Sequence, residues 1–411
     1  MSDLAIFRTR RVRGPRFLWR WQDRKTRVLA ATLVAILALL ALIQDTTLVR
    51  EIAWGGKYWV NARFLFWGWG RFLHDVSPPG LIYNRDVLYG YEYGLPGAEV
   101  QDLPFAYPPT LLLLLWPLGL LGPIAALIAW FATGMASYVV AAWRGPRAYL
   151  VVLLALIVPT TENALFNAQT SLFIAALMTG GWRLLGRRPI LSGILFGLII
   201  LKPQFGLLIP VALIAARQLR ATIAAAITVV GAIFVSSVAF GVGSWLDFPG
   251  SLTTLSAVVA RHTDWYSHAP TVTCGLRMIG VGPGLVAAGQ IAAMILAAAG
   301  VAFVWYHQSG PLAFAALAVG TFFATPYAFT YDLPIVSLAA LMFVQEALCD
   351  GGGLTVTEIA VLSVTIMLPL LMVLNPFGMP WGMLVLASLF ALILRRTARG
   401  RSVPIGSTCP P

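Results

Sequence analysis

The sequence predicts an all-α polytopic membrane protein, and three observations carry that prediction. Hydrophobic residues make up 59% of the 411 positions and charged residues only 11%, where a soluble domain carries roughly a quarter. Apolar runs recur along nearly the whole chain, divided by short polar or Pro/Gly-rich turns, and mean hydropathy reaches +0.82. The net charge of +12 is gathered into a few segments, a distribution that sets membrane topology. It does not make a nucleic-acid surface, and no long soluble domain fits between the runs.

Taken in order, the chain opens with a basic arm, residues 1–27, holding nine Arg/Lys against Asp3 and Asp23. Such an arm anchors on the cytoplasmic side. The run 28–44 is long for a signal-peptide core and no small-residue cleavage motif follows it, so it is expected to stay as the first span. Residues 45–109 form the longest polar stretch and are expected outside. Aromatics crowd it: Trp54, Tyr58, Trp59, Phe64, Phe66, Trp67, Trp69 and Phe72. Spacing over 58–73 predicts an amphipathic helix lying in the membrane interface, and Pro78-Pro79-Gly80 and Pro96-Gly97 mark loop.

The apolar piece 110–121 comes next. Counting it as a span would place Arg144 and Arg147 outside, so it is read as an external or re-entrant helix. Further spans are expected over 124–143, 148–159, 170–185, 190–201, 205–216, 221–240, 285–306, 312–325, 333–348, 354–374 and 381–394. With the first, that makes about twelve. Several fall well short of the roughly 20 residues a full crossing needs. They should be tilted, extended into neighbouring loops or broken at a cavity.

Charge checks the parity. The arm, Arg144, Arg147, Arg183, Arg187, Arg188, Arg217, Arg220, Arg395, Arg396, Arg399 and Arg401 together place 20 of the 28 basic residues inside. The outer side receives 8 basic residues and 11 of the 16 acids. Basic residues segregate inward as membrane insertion requires. The domain plan is a cytoplasmic arm (1–27), a single transmembrane domain (28–394) with outer loops at 45–109 and 241–284, and a cytoplasmic tail (395–411).

Several chemistries are excluded. Cys274, Cys349 and Cys409 are scattered without a disulfide framework or metal spacing. His74, His262, His268 and His307 form no ligand pair, so no metal site is expected. No Gly-rich phosphate loop or dinucleotide fingerprint is present, so neither ATP nor a nucleotide sugar has a cradle. No cofactor is expected, and no nucleic-acid partner.

What remains is polar residues at the ends of greasy helices. The runs 172–185 and 190–201 are divided by Gly186-Arg187-Arg188-Pro189, a turn too charged for hydrocarbon. A hairpin there brings Asn167-Ala168-Gln169 and Lys202-Pro203-Gln204 to one side of the membrane. Intramembrane amides and a lysine mark a site by default; interhelical hydrogen bonding and a snorkelling lysine are the plainer account. Tyr107-Pro108-Pro109, residues 162–169, the loop 241–284 and residues 325–332 fall on that same outer face, together with the long first loop.

Five of these pieces, in this order, carry a resemblance: Pro104-Phe105-Ala106-Tyr107-Pro108-Pro109, Asn167 with Gln169, Lys202-Pro203-Gln204, Ser267 through Arg277-Met278-Ile279-Gly280, and Thr325-Pro326-Tyr327 with Tyr331-Asp332. The chain resembles glycosyltransferase family 87 of the GT-C superfamily, which includes bacterial polyprenol-linked mannosyltransferases. The resemblance implies a GT-C-like fold in the plasma (inner) membrane. It implies inverting transfer of a hexose, mannose by analogy, from a polyprenyl-phosphate donor to a lipid or glycan acceptor on the outer face. Family members carry an acidic residue early in the first outer loop, where this chain reads Asn61-Ala62-Arg63-Phe64-Leu65-Phe66-Trp67 without a carboxylate.

The base is therefore sought among Asp75 and Asp86 of the same loop, Asp332 and Asp264. A phosphate leaving group needs cations or oriented donors, and Lys202, Arg63, Arg261, His262 and Arg277 are the candidates. Asn167, Gln169, Gln204, Tyr107 and Tyr331 are the candidates for sugar and acceptor hydroxyls. Two other classes stay open: a transporter or flippase of lipid-linked sugars, and a noncatalytic protein derived from the same fold. Inverted repeats would favour the transporter, and no convincing internal repeat is seen.

Overall fold

A computed structural model describes residues 57–95, 104–143, 152, 155, 156, 158–308, 310–349 and 354–399. The expected basic arm, the first span 28–44, Arg144 and Arg147, most of the span 148–159, the chain beyond 399 and the side chain of Arg63 lie outside the described residues. Among the described residues there are seventeen α-helices and no strand. They are α1 (Lys57–Asp75), α2 (Arg85–Tyr93), α3 (Pro109–Leu115), α4 (Pro123–Ala142), α5 (Pro159–Phe166), α6 (Ser171–Leu184) and α7 (Pro189–Gly197). Then come α8 (Ile209–Ala215), α9 (Leu219–Phe240), α10 (Gly243–Arg261), α11 (Val272–Met278), α12 (Pro283–His307) and α13 (Pro311–Ala324). The last four are α14 (Pro334–Cys349), α15 (Val356–Ile366), α16 (Leu368–Leu374) and α17 (Trp381–Ala398).

Proline sets many of the starts. Helices α3, α4, α5, α7, α12 and α13 each carry proline at the head of the first turn. Its fixed φ suits the helix, and its missing N–H is one the first turn leaves unbonded anyway. Stops are made by side chains as well. The Arg183 guanidinium donates to the carbonyls of Ala142 (2.9 Å) and Trp143 (2.8 Å) at the end of α4, satisfying acceptors a helix end leaves open.

Four helices are long and apolar enough to cross a membrane: α4, α9, α12 and α17. The pair α15–α16, bent by 66° at Met367, makes a fifth if it is one broken span. Five shorter apolar helices accompany them at Pro109–Leu120, Pro189–Leu201, Pro203–Ala215, Pro311–Ala324 and Pro334–Val344. The sequence places about twelve crossings on this chain, and shortness at several of them is part of that expectation. The long helices turn apolar faces outward; on α9, Ile227, Phe234 and Val238 are exposed, a stripe suited to lipid. Helix α13 is the opposite case. Thirteen of its 14 residues are buried, with α6, α12, α14 and α17 around it.

The predicted interfacial helix is present as α1, but its aromatic side is covered by protein. Phe66, Trp69 and Phe72 are buried with Phe105, Leu111, Leu112, Leu115 and Trp130 in a second core. Trp67 Nε1 donates to the Leu121 carbonyl at 2.9 Å. The two backbones touch at glycine: a Cβ on Gly70 would stand 2.3 Å from the Leu115 oxygen, and one on Gly119 would stand 2.3 Å from the Gly70 oxygen. The 241–284 segment is not open loop either. It folds into α10, a 3-10 turn Thr263–His268, and α11.

Candidate active site

The hairpin predicted around Gly186–Pro189 is α6 and α7, and its far ends do meet. α7 runs on as a 3-10 turn, Leu198–Leu201, and then stops at Lys202, whose φ of −143° and ψ of 75° are not helical. Pro203 is the cause, because a proline drives the residue before it out of the helical region. Another 3-10 turn, Pro203–Phe205, leads into α8. The break therefore falls on the lysine itself.

Lys202 and Asp332 form a salt bridge through Asp332 Oδ1. The lysine is 4% exposed and the aspartate 3%. Ser171, the first residue of α6, donates to the same oxygen at 2.7 Å. The backbone N–H of Phe329 donates to Oδ2 at 3.2 Å. The ammonium also lies 5.2 Å from the Phe205 ring and 5.3 Å from the Tyr331 ring, a cation–π arrangement. A buried ion pair survives only when its remaining valences are met this fully.

Beside it, the Tyr107 hydroxyl donates to Gln169 Oε1 at 2.7 Å. Tyr83 donates to the Tyr107 carbonyl at 2.8 Å. Gln169 follows Ala168, which holds a positive φ of 48°, an uncommon conformation for a residue with a Cβ. Trp130 Nε1 donates to the Ala168 carbonyl at 2.9 Å and fixes that kink. Segments 104–110, 167–171, 202–205 and 329–332 thus share one polar cluster at the ends of broken helices. Backbone irregularity at membrane depth is tolerated where protein or a cavity meets its polar groups.

The other predicted site residues lie apart from this cluster or are engaged locally. Asn167 Nδ2 donates to the Asn163 carbonyl at 2.8 Å, closing α5. Gln204 is half-buried at the break after Lys202. Asp75 is exposed, paired with Arg71 at 2.9 Å, and accepts the Tyr91 hydroxyl at 2.8 Å. Partial burial pushes its carboxyl upward, but the bonds from Arg71 and Tyr91 outweigh that and hold it below the ordinary range. Asp86 is exposed in the first turn of α2, beside the Asn84 cap. Asp264 and Arg261 are exposed as well, the arginine donating to Ala257 of its own helix at 3.3 Å. His262 stacks on Trp265 at 4.4 Å. Arg277 lies over the Tyr266 ring at 5.9 Å, and its Nη1 is buried without a hydrogen-bond acceptor from the protein.

Two participants escape a reading of the sequence. Ser171 reads as an ordinary polar start to a helix, and only the fold puts it on Asp332. Glu92 sits alone among Tyr89, Tyr91 and Tyr93. Its Oε1 accepts Trp69 Nε1 at 2.8 Å, and burial pushes its carboxyl up to about 7. The Trp69 ring in turn lies 6.1 Å from that of Tyr107. An acid embedded in aromatic residues is the signal that could have found it.

Among the described residues no group of His, Cys, Asp and Glu is placed to hold a metal ion. The cluster offers a buried ammonium paired with a buried carboxylate, together with hydroxyls and an amide, a set that suits a hydroxyl-rich ligand. No curated protein and no solved structure matches the chain. The sequence model of glycosyltransferase family 87 matches residues 105–329, a stretch that contains Tyr107, Gln169, Ser171 and Lys202 and ends three residues before Asp332. A match over more than half of the chain, centred on these broken helices, makes this protein a member of glycosyltransferase family 87, a family of membrane glycosyltransferases.

Proposed function

We propose that the protein transfers a hexose, with mannose the leading donor sugar by family analogy, from a polyprenyl-phosphate donor to a lipid or glycan acceptor. The reaction takes place at the outer face of the plasma membrane and inverts the anomeric centre. The observation that supports this most strongly is the Lys202–Asp332 pair with Ser171 and Tyr331 on it and the Tyr107–Gln169 hydrogen bond beside it, drawn from four distant segments to one set of helix breaks.

In the proposed reaction the acceptor hydroxyl oxygen attacks the anomeric carbon. The bond from that carbon to the phosphate oxygen breaks, the electron pair leaves with polyprenyl phosphate, and a carboxylate takes the hydroxyl proton. An ammonium has three donors, so Lys202 can hold Asp332 and still meet a phosphate oxygen. Arg277, over the Tyr266 ring and outside the Lys202 cluster, remains a phosphate candidate through its buried Nη1, which has no protein acceptor. Gln169, Gln204, Tyr107 and Tyr331 meet sugar hydroxyls.

For the base, Asp75 and Asp332 are already engaged by Arg71 and Lys202, and Asp86 and Asp264 are exposed. Glu92 leads instead, because a carboxyl held near neutrality is suited to proton removal at neutral pH and it adjoins Tyr107 through Trp69. A noncatalytic reading has its own support in the missing carboxylate at residues 61–67. Protein reconstituted in lipid nanodiscs with polyprenyl-phosphate mannose and a panel of lipid and glycan acceptors separates the readings. Transfer predicts a new glycoside together with released polyprenyl phosphate. Donor movement across the bilayer without a glycoside would overturn transfer in favour of a flippase, and neither outcome with any acceptor would favour the noncatalytic protein.

A further inference from the structure

A cavity of about 780 Å³ opens between the turn at Pro78–Arg85 and the first three turns of α10. Its size falls within the range of roughly 300–1,000 Å³ common for small-ligand sites. Apart from Pro104, its lining lies outside the motifs of the sequence and the Lys202 cluster. Tyr83, Asn84 and Arg85 line one wall, Asp247, Gly250 and Thr254 the other, and Pro104 the end toward Tyr107. The two walls touch at the floor, where a Cβ on Gly80 would come within 2.9 Å of Ser244 Oγ. Above it, Gly243 and Gly250 face open space, with no atom within 4 Å of an added Cβ.

The lining chemistry selects among ligands. Asp247 is exposed and close enough to Tyr83 for its charge to join burial in raising the phenol's pKa. Hydrocarbon filling the cavity would strip solvent from that carboxylate, which is unfavourable without a replacement hydrogen bond. A free phosphate would meet Arg85 on one wall but the like charge of Asp247 on the other. A neutral saccharide satisfies both walls, since its hydroxyls donate to the carboxylate and its C–H faces lie on the Tyr83 ring. The cavity is also wired to the polar cluster: Tyr83 donates to the Tyr107 carbonyl and Tyr107 donates to Gln169.

We infer that this groove holds the saccharide part of the acceptor, feeding its reacting end along Pro104–Tyr107 toward the Lys202 cluster. The inference rests on the transferase reading above, and it assigns the acceptor class as glycan or glycolipid rather than a sugar-free lipid.

Gly250→Trp tests it, because the open space at Gly250 admits a side chain without disturbing its neighbours; Asp247→Asn is the milder variant at an exposed position. The direct probe is binding of neutral alkyl di- and trisaccharide glycosides to the detergent-purified protein, read by saturation-transfer NMR. Wild type should show contacts from the sugar protons, and Gly250→Trp should abolish them while keeping its thermal midpoint. In turnover, both variants should raise the acceptor KM, Gly250→Trp by about tenfold or more, equivalent to about 1.4 kcal/mol, and leave the donor KM unchanged. Sugar binding in a protein that transfers nothing would keep the groove and reject the transferase reading. Turnover with an unaltered acceptor KM in Gly250→Trp would reject the groove and keep the reading. Contacts from the alkyl chain alone, or no binding at all, would also reject the groove.

Discussion

Among the described residues two buried ion pairs hold charge inside the protein, and they are built differently. Arg396 of α17 donates to Glu358 Oε1 at 3.0 Å, while Glu358 Oε2 accepts the Thr355 N–H at 2.8 Å and its hydroxyl at 3.1 Å. That is a capping box with a guanidinium added, and the guanidinium itself lies over the Phe343 ring at 5.0 Å. Each polar atom completes regular helix. The Lys202–Asp332 pair stands where helices stop: its lysine is non-helical, its aspartate closes a 3-10 turn, and two aromatic rings flank the ammonium. The first pair ties elements together. The second fills a gap in the secondary structure that a ligand can share, and so charge at a helix break is the better marker of function.

The contrast can be broken by experiment. Lys202→Met should lower transfer by about 100-fold or more, as expected when a preorganised charge on the reacting group is lost. It should also destabilise by about 3–5 kcal/mol, because Asp332 is left buried without its counter-ion. The double variant Lys202→Met/Asp332→Asn should regain thermal stability but not transfer. A double variant that regains both would reduce the pair to a structural tie.

Arg396→Met should destabilise by a similar amount, about 3–5 kcal/mol, with transfer per folded molecule unchanged. Thermal melting and turnover normalised to folded protein measure the two effects, and a selective loss of turnover would erase the distinction. Glu92→Gln should remove the limb of the pH–rate profile that rises near pH 7 in wild type. Stability carries an independent sign. A carboxyl raised from 4.5 to about 7 contributes stability fully present below the unfolded value and lost as pH rises through the folded one. The melting temperature of wild type should therefore fall relative to Glu92→Gln between about pH 4.5 and 7, and parallel curves would show that the carboxyl is not held near neutrality. Tyr107→Phe is the smallest change. Losing one hydrogen bond to Gln169 should cost about 1 kcal/mol and slow transfer a few-fold, read as kcat with the donor saturating.

The sequence is most legible where covalent constraint decides structure. Gly186-Arg187-Arg188-Pro189 announced the hairpin that sets Gln169 and Lys202 on one side, and its proline opens α7. Lys202-Pro203 also declared its own break, since proline acts on its neighbour regardless of the fold. Pairings across long separations were hidden. Asp332 lies 130 residues from Lys202 and 161 from Ser171, and a T-S dipeptide at the head of an apolar run looks like many others. Burial was the other blind spot. Glu92 becomes unusual only when Trp69 and its neighbours close over it, and the aromatic face of α1 reads equally well as facing lipid or facing α3.

The enclosure of α13 has a consequence for biosynthesis. At about 1.5 Å per residue its 14 residues span roughly 21 Å, less than the roughly 30 Å of hydrocarbon around it. Its cover includes Phe390 of α17, whose ring lies tilted against that of Phe323 at 5.7 Å, on a helix that leaves the ribosome after α13. Until that helix arrives, α13 lacks part of its cover and the centre of the bundle stays open on that side. A premature stop before α17 should therefore yield no partly active enzyme, only a chain for the membrane's quality-control proteases.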